Sequence, residues 1–288
     1  MQGIIVKGIA GFYYVKVEDK VIQCKARGKF KNQGLTPTVG DLAVLQLLED
    51  GDGIIEEILP RRNIFVRPTI ANVDCMVVVL SAANPEPNFM ILDRFLVMAE
   101  ENRTEVVICV NKIDLGSEEM LRKIKDIYSS LYPLVFVSCK DRTGFVDLEA
   151  LLRNKKCALA GPSGVGKSTI LNCLMPNEEI EVGEVSHKTK RGKHTTRHVE
   201  IFETDFGAML FDTPGFTSFD ILDADEDQLH FYYPEMATYI SHCKYDNCRH
   251  IKEPGCRVLE AVAEGDIHPS RYRSYVDQIT EIREKRKY

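Results

Sequence analysis

Short apolar runs broken by turn residues dominate the first 67 positions. Residues 4–7, 13–17, 21–26, 42–47 and 53–58 are rich in β-branched and aromatic side chains, and Gly, Asp and Pro separate them. Five short strands in so short a stretch predict a small barrel, with the OB-fold, a five-stranded barrel that often binds oligonucleotides, as the candidate. Pro60, Arg61 and Arg62, with Arg67 and Pro68 beyond them, read as the exit linker. The period then changes. Residues 75–80 and 106–110 are near-continuous β-branched runs, the pattern of buried parallel strands. Residues 93–102 and 117–131 have helical apolar spacing, and 134–137, 157–160, 199–203 and 208–211 supply further strands. Alternating strands and helices predict a doubly wound α/β domain over 68–225. A third segment, 226–288, begins acidic, becomes rich in Cys and His, and ends in a helix over 270–288. The apolar stripe of that helix is Tyr272, Tyr275, Val276, Ile279 and Ile282, expected to pack on its own domain.

Composition narrows the class. The chain has 288 residues, 44% hydrophobic and 28% charged, which suits a folded protein of two or three domains. Its longest apolar stretch, 75–83, is far too short to span a bilayer. The start, Met1-Gln-Gly-Ile-Ile, lacks the basic opening and cleavage site of a secretory signal, so a cytoplasmic chain without membrane contact is expected. The net charge of −6 argues against a general nucleic-acid binder. Residues 1–67, however, carry ten Lys and Arg against eight Asp and Glu, and Lys25, Arg27, Lys29 and Lys31 crowd one loop beside Phe30. Any RNA contact must come from such local patches. Of the nine cysteines, Cys75, Cys109 and Cys157 lie in apolar strand-like runs and read as reduced core residues, with Cys24 similar.

Two short motifs specify the chemistry, and their order is unusual. Gly161, Pro162, Ser163, Gly164, Val165, Gly166, Lys167 and Ser168 match G-x-x-x-x-G-K-[ST] between a strand and a helix that opens at Thr169. Backbone N–H groups of such a loop cradle phosphates, Lys167 reaches the β- and γ-phosphates, and Ser168 ligates Mg²⁺. Asn111, Lys112, Ile113 and Asp114 follow an earlier strand. The Asp114 carboxylate can accept from both N1–H and the 2-amino group of guanine. Adenine has no such donor pair, so the site selects GTP. Ser138, Cys139 and Lys140 follow the next strand, where a backbone N–H can reach guanine O6; alone they are also a plain strand exit. Asp212-Thr-Pro-Gly215 ends the set, with Asp212 toward Mg²⁺ and the Gly215 N–H toward the γ-phosphate. Phe216 stands where many GTPases place a water-orienting glutamine. Residues 186–198 lie where the first switch loop belongs. Thr195 or Thr196 is placed for Mg²⁺, and His194 either orients the attacking water or belongs to a solvated basic loop. In most GTPases the phosphate loop comes first; here the guanine reader leads, the mark of a circular permutation.

Cys243, Cys248, His250 and Cys256 supply three thiolates and one imidazole, a common structural zinc set with no position left open for water. His242 is the alternative imidazole.

Together these residues resemble the circularly permuted GTPase family called RsgA, also known as YjeQ or YloQ, over essentially the whole chain. The guanine reader, the phosphate loop, the Arg191-Gly-Lys-His-Thr-Thr196 switch, the Asp212–Gly215 switch and the four zinc ligands match its motifs. The resemblance implies an N-terminal OB-fold RNA-binding domain (1–67), a permuted P-loop GTPase domain (68–225) and a C-terminal zinc-binding helical domain (226–288). It implies Mg²⁺ and one zinc as cofactors and GTP hydrolysis to GDP and phosphate. It places a monomer on the small ribosomal subunit and its rRNA late in maturation, with His194 as a catalytic candidate beside Lys167. A rival from another class is an RNA-binding module that holds GTP as a structural ligand; intact Lys167, Ser168 and Asp212 argue against it.

Overall fold

In a computed structural model, residues 1–32, 34–175, 199–212 and 225–285 are described. The elements run β1 (Gln2–Ile9), β2 (Phe12–Val17), β3 (Lys20–Ala26), α1 (Lys29–Asn32), β4 (Leu42–Leu47), β5 (Gly53–Ile58), β6 (Ile64–Val66) and β7 (Thr69–Ala71). They continue with β8 (Cys75–Ser81), α2 (Phe89–Glu101), β9 (Glu105–Asn111), α3 (Glu118–Tyr128), β10 (Leu134–Phe136), α4 (Phe145–Leu152), β11 (Lys156–Ala160) and α5 (Lys167–Leu174). After β12 (Glu200–Glu203) and β13 (Met209–Asp212) come a 3₁₀ turn (Leu229–Tyr232), α6 (Pro234–Ile240), α7 (Arg257–Glu264) and α8 (Pro269–Lys285). The chain divides into two compact units. One is Met1–Val77, Phe145–Ala160 and Gly166–Thr217; the other is Val78–Gly144, Gly161–Val165 and Ser218–Tyr288.

In the first unit, β1 pairs antiparallel with both β2 and β4, β3 pairs with β2, and β5 pairs with β4 and, in parallel, with β3. These pairings close a five-stranded barrel of the expected OB type. A register shift between Ile5 and Lys7 bends β1 so that one strand serves two neighbours. Alternation puts Ile5, Val15, Cys24, Ala43, Leu45 and Ile55 inside. Asp41 is also fully buried. Its carboxylate accepts from Arg61 Nε at 2.7 Å, Arg61 Nη2 at 2.8 Å and Thr38 N at 2.8 Å, which offsets the loss of water. β1 extends the barrel onto β12 at Lys7 and Glu200, whose side chains form an ion pair of 2.6 Å, and the strand order continues β12–β13–β11.

Two expectations are corrected here. The segment 60–68 is not a bare linker, because β6 and β7 form a hairpin across Arg67–Pro68 with Phe65 and Ile70 buried. The basic loop contains one helical turn, α1, because Phe30 is only 3% exposed and anchors it.

In the second unit the strand order is β10–β9–β8, with β9 and β10 parallel. Asn88 caps α2 by accepting from Ile91 N at 3.1 Å, and Ser117 caps α3 by accepting from Met120 N at 3.2 Å. The stripe on α8 behaves as expected. Tyr275, Ile279 and Ile282 are buried, Tyr272 and Val276 partly so, in a cluster with Leu229, Tyr233, Met236, Cys248, Cys256 and Val258. Val97 of α2 joins the same cluster, so the C-terminal helices share their core with the α/β layer. A fully buried guanidinium lies beside it. Arg271 donates to Glu235 at 2.7 Å and to Asp93, and Asp93 also accepts from the Tyr128 hydroxyl at 2.8 Å. Cys24, Cys75, Cys109 and Cys157 are buried free thiols, as expected.

Candidate functional site

The guanine reader begins where buried β9 ends. Asn111 is buried, and its Nδ2 donates to the carbonyl of Val165 at 2.9 Å. The reader is thereby tied to the phosphate loop across 54 positions of sequence. Lys112 takes φ +60, a left-handed conformation uncommon for a residue with a Cβ. Its ammonium donates to the Gly164 carbonyl at 2.7 Å and to the Asn84 carbonyl, so the aliphatic stem crosses the loop. The next turn is closed by Leu115 N on Lys112 O at 3.0 Å, and it leaves the Asp114 carboxylate exposed. Ser138 is buried after β10; its N–H donates to Thr143 O at 3.1 Å and its hydroxyl accepts from Lys140 N at 3.3 Å. Between them the Cys139 thiol donates to Asn111 Oδ1 at 3.5 Å. Sequence placed Ser138, Cys139 and Lys140 near the base through backbone groups; the thiol contact was not foreseen.

The phosphate loop leaves β11 at Gly161. A Cβ there would lie 2.4 Å from the Val79 carbonyl, so only glycine fits. Gly166, at φ +96, begins α5 and offers no side chain to its first turn. The positive end of the helix dipole therefore faces the loop, as an anion site requires. Burial lowers the Lys167 ammonium to about 8, a cost that a phosphate beside it would reverse. Ser168 and Thr169 are exposed at the start of the helix. Asp212 ends β13 directly opposite Glu200 of β12. Burial first, and the Glu200 charge second, raise the Asp212 carboxyl. A divalent cation opposes both effects, and carboxylate and hydroxyl oxygens are the donors Mg²⁺ prefers. His194, Thr195, Thr196 and Gly215, expected around the γ-phosphate, lie outside the described residues.

The four candidate metal ligands come together. One donor atom from each of Cys243, Cys248, His250 and Cys256 falls within 4.8 Å of the others. His250 Nδ1 is 3.5 Å from Cys243 Sγ and 3.3 Å from Cys256 Sγ, and the two sulfurs are 4.0 Å apart. A tetrahedron with bonds of about 2.0–2.3 Å has edges of roughly this length. Burial, the nearby His230 and Arg249 lower His250 to about 4, so the ring is the neutral ligand form. Burial also raises Cys248, and lifts Cys256 to about 12, so thiolates here need a cation beside them. The Cys₃His cluster suits a structural zinc site. His242 is exposed, with its ring nitrogen 3.1 Å from Thr238 O, and takes no part.

On the barrel, Lys25 sits over the Phe12 ring at 5.0 Å and Lys29 over Phe30 at 5.7 Å. Arg27 is paired with Glu56 at 2.5 Å, so the patch is less basic than its sequence.

Sequence profiles of two domains match the chain: the RsgA GTPase over residues 58–222 and the RsgA N-terminal domain over 2–55. A protein of Caldanaerobacter subterraneus subsp. tengcongensis described as small ribosomal subunit biogenesis GTPase RsgA is 43% identical over 288 residues, covering 100% of this chain and 97% of that one. A protein of the same description from Clostridium acetobutylicum is 45% identical over 289 residues and covers 100% of each. Among solved structures, YjeQ from Thermotoga maritima superposes with a TM-score of 0.87 at 38% identity, over 98% of both chains. YloQ, described as a circularly permuted GTPase, gives 0.84 at 37% identity, over 99% of this chain and 95% of that one.

Proposed function

The chain belongs to the RsgA family of circularly permuted GTPases, and from that premise we propose that it binds the small ribosomal subunit late in maturation, hydrolyses GTP to GDP and phosphate there, and leaves. The observation that carries the nucleotide reading is the Asn111–Val165 hydrogen bond, which sets the guanine reader beside the phosphate loop although the reader comes earlier in the chain. Asp114 and the 138–140 turn hold the base. Residues 161–169 hold the phosphates, with Lys167 against the charge that develops as the β–γ bond breaks. Ser168, Asp212 and Thr195 or Thr196 would hold Mg²⁺, which when bound would neutralise charge on the phosphates. Gly215 meets the γ-phosphate. Functionally the chain divides at 1–67, 68–225 and 226–288: RNA-binding barrel, GTPase, zinc domain. We place it in the cytoplasm as a monomer; no helix among the described residues is long and apolar enough to cross a membrane.

The barrel patch is the RNA contact in this account. Subunit binding measured against salt concentration tests it. Replacing Lys25, Lys29 and Lys31 with Ala is expected to lower the log–log salt slope by roughly one unit for each phosphate contact removed. Arg27→Ala changes it less, because Glu56 already neutralises that guanidinium. An unchanged slope in the triple variant removes the patch from the interface.

One zinc per chain belongs to the Cys₃His cluster. Cys248→Ser is expected to release it and loosen the 240–260 region. GTP affinity should stay within about twofold, since independent sites perturb one another by only about 0.3–0.5 kcal/mol. Metal analysis and nucleotide titration of the variant check both halves. A parallel loss of GTP binding contradicts the independence of the sites.

A further inference from the structure

Glu253 lies three residues after His250 and three before Cys256, and it is not one of the four metal-facing side chains. Its carboxylate turns back onto the chain. Oε1 accepts from Arg249 N at 3.0 Å, and Oε2 accepts from Ile251 N at 2.8 Å and Lys252 N at 3.0 Å. Three backbone donors on both sides of His250 therefore converge on one anion. His250 between them adopts φ +56, a conformation that residues with a Cβ seldom take without support. Its ring is fully buried, with Nδ1 directed at two thiols. The Tyr272 hydroxyl binds the His250 carbonyl at 2.8 Å and the Tyr275 hydroxyl binds the Arg249 carbonyl at 2.8 Å, so α8 fixes the acceptor side of the same turn. The donor side depends on Glu253.

We propose that Glu253 is the positioning residue of the metal centre, holding the 249–252 turn so that His250 faces the three thiols without itself touching the metal. The proposal rests on the zinc reading above. Groups that orient a metal ligand change metal affinity by about 10–100-fold when removed. Full-length wild type, Glu253→Ala, Glu253→Gln and, as a surface control, Glu260→Ala are compared. Zinc content, the rate of zinc transfer to a chromogenic chelator, and the visible absorption of the Co²⁺-substituted proteins are recorded. Glu253→Ala is expected to release zinc at least about tenfold faster and to alter the Co²⁺ bands as the imidazole leaves its place. Glu253→Gln should fall between, since one amide oxygen can serve Ile251 and Lys252 while its NH₂ opposes the Arg249 N–H. It carries the test if the alanine variant does not fold. Glu260→Ala, which loses only an exposed pair with Arg257, should match wild type. Both Glu253 variants releasing zinc at the wild-type rate with unchanged Co²⁺ spectra overturns the proposal. Wild type without zinc overturns the zinc reading itself and the proposal with it.

Discussion

Asp114→Asn should weaken GTP by roughly 2–4 kcal/mol, about 30- to 1000-fold, while leaving the protein folded. The side chain is exposed at the tip of its turn, so the fold does not depend on it. In the proposed site the carboxylate would accept from two guanine donors; an asparagine would present an NH₂ group to one of them. The lost charge-assisted pair and the new donor–donor contact act in the same direction. Asn111 and Lys112 stay bonded to Val165 and Gly164, so the variant should keep its phosphate loop in place. Competition titration with GTP, ATP and xanthosine triphosphate checks this. Xanthosine triphosphate, whose 2-oxo group accepts where guanine donates, should recover much of the lost affinity. Equal GTP and ATP affinity in the wild type contradicts the assignment of the reader.

His194→Ala carries the second large effect. Phe216 cannot orient water, so hydrolysis by the isolated protein should be slow. With the subunit bound, His194, Thr195 and Thr196 are expected to meet the γ-phosphate and hold the attacking water in line. The variant is expected to lose on the order of 10²-fold in subunit-stimulated turnover, with GTP affinity within about twofold, the pattern of a contact made chiefly in the transition state. Full stimulated turnover in the variant transfers water positioning to the ribosomal partner.

Some parts of the fold and site were more legible in the sequence than others, for physical reasons. The strands at 42–47 and 53–58 are read to the residue because short, mostly apolar runs there are bounded by Gly, Asp and Pro. The hairpin of β6 and β7 escapes such a reading, since three-residue strands are too short to show a period. The metal ligands are readable because a tetrahedral site needs particular side chains at short spacing. The partners of the guanine reader are not, because Lys112 and Asn111 bind the backbone carbonyls of Asn84, Gly164 and Val165, which any residue supplies. Arg271 lies outside the apolar stripe read from the sequence, which begins at Tyr272. The buried stripe on α8 runs through Ile282, Ile279 and Tyr275, and the same spacing carried back reaches Arg271. That position holds a charge in the core, accommodated there by Asp93 and Glu235.

The central claim is that GTP hydrolysis by this chain is switched on by the small subunit. Phosphate release from GTP, measured at saturating nucleotide with and without purified small ribosomal subunits, tests it most directly. The account predicts slow turnover alone, a large acceleration with subunits, and no comparable turnover of ATP. GTP that binds tightly but is hydrolysed no faster with subunits would contradict it and favour an RNA-binding module in which the nucleotide is a structural ligand.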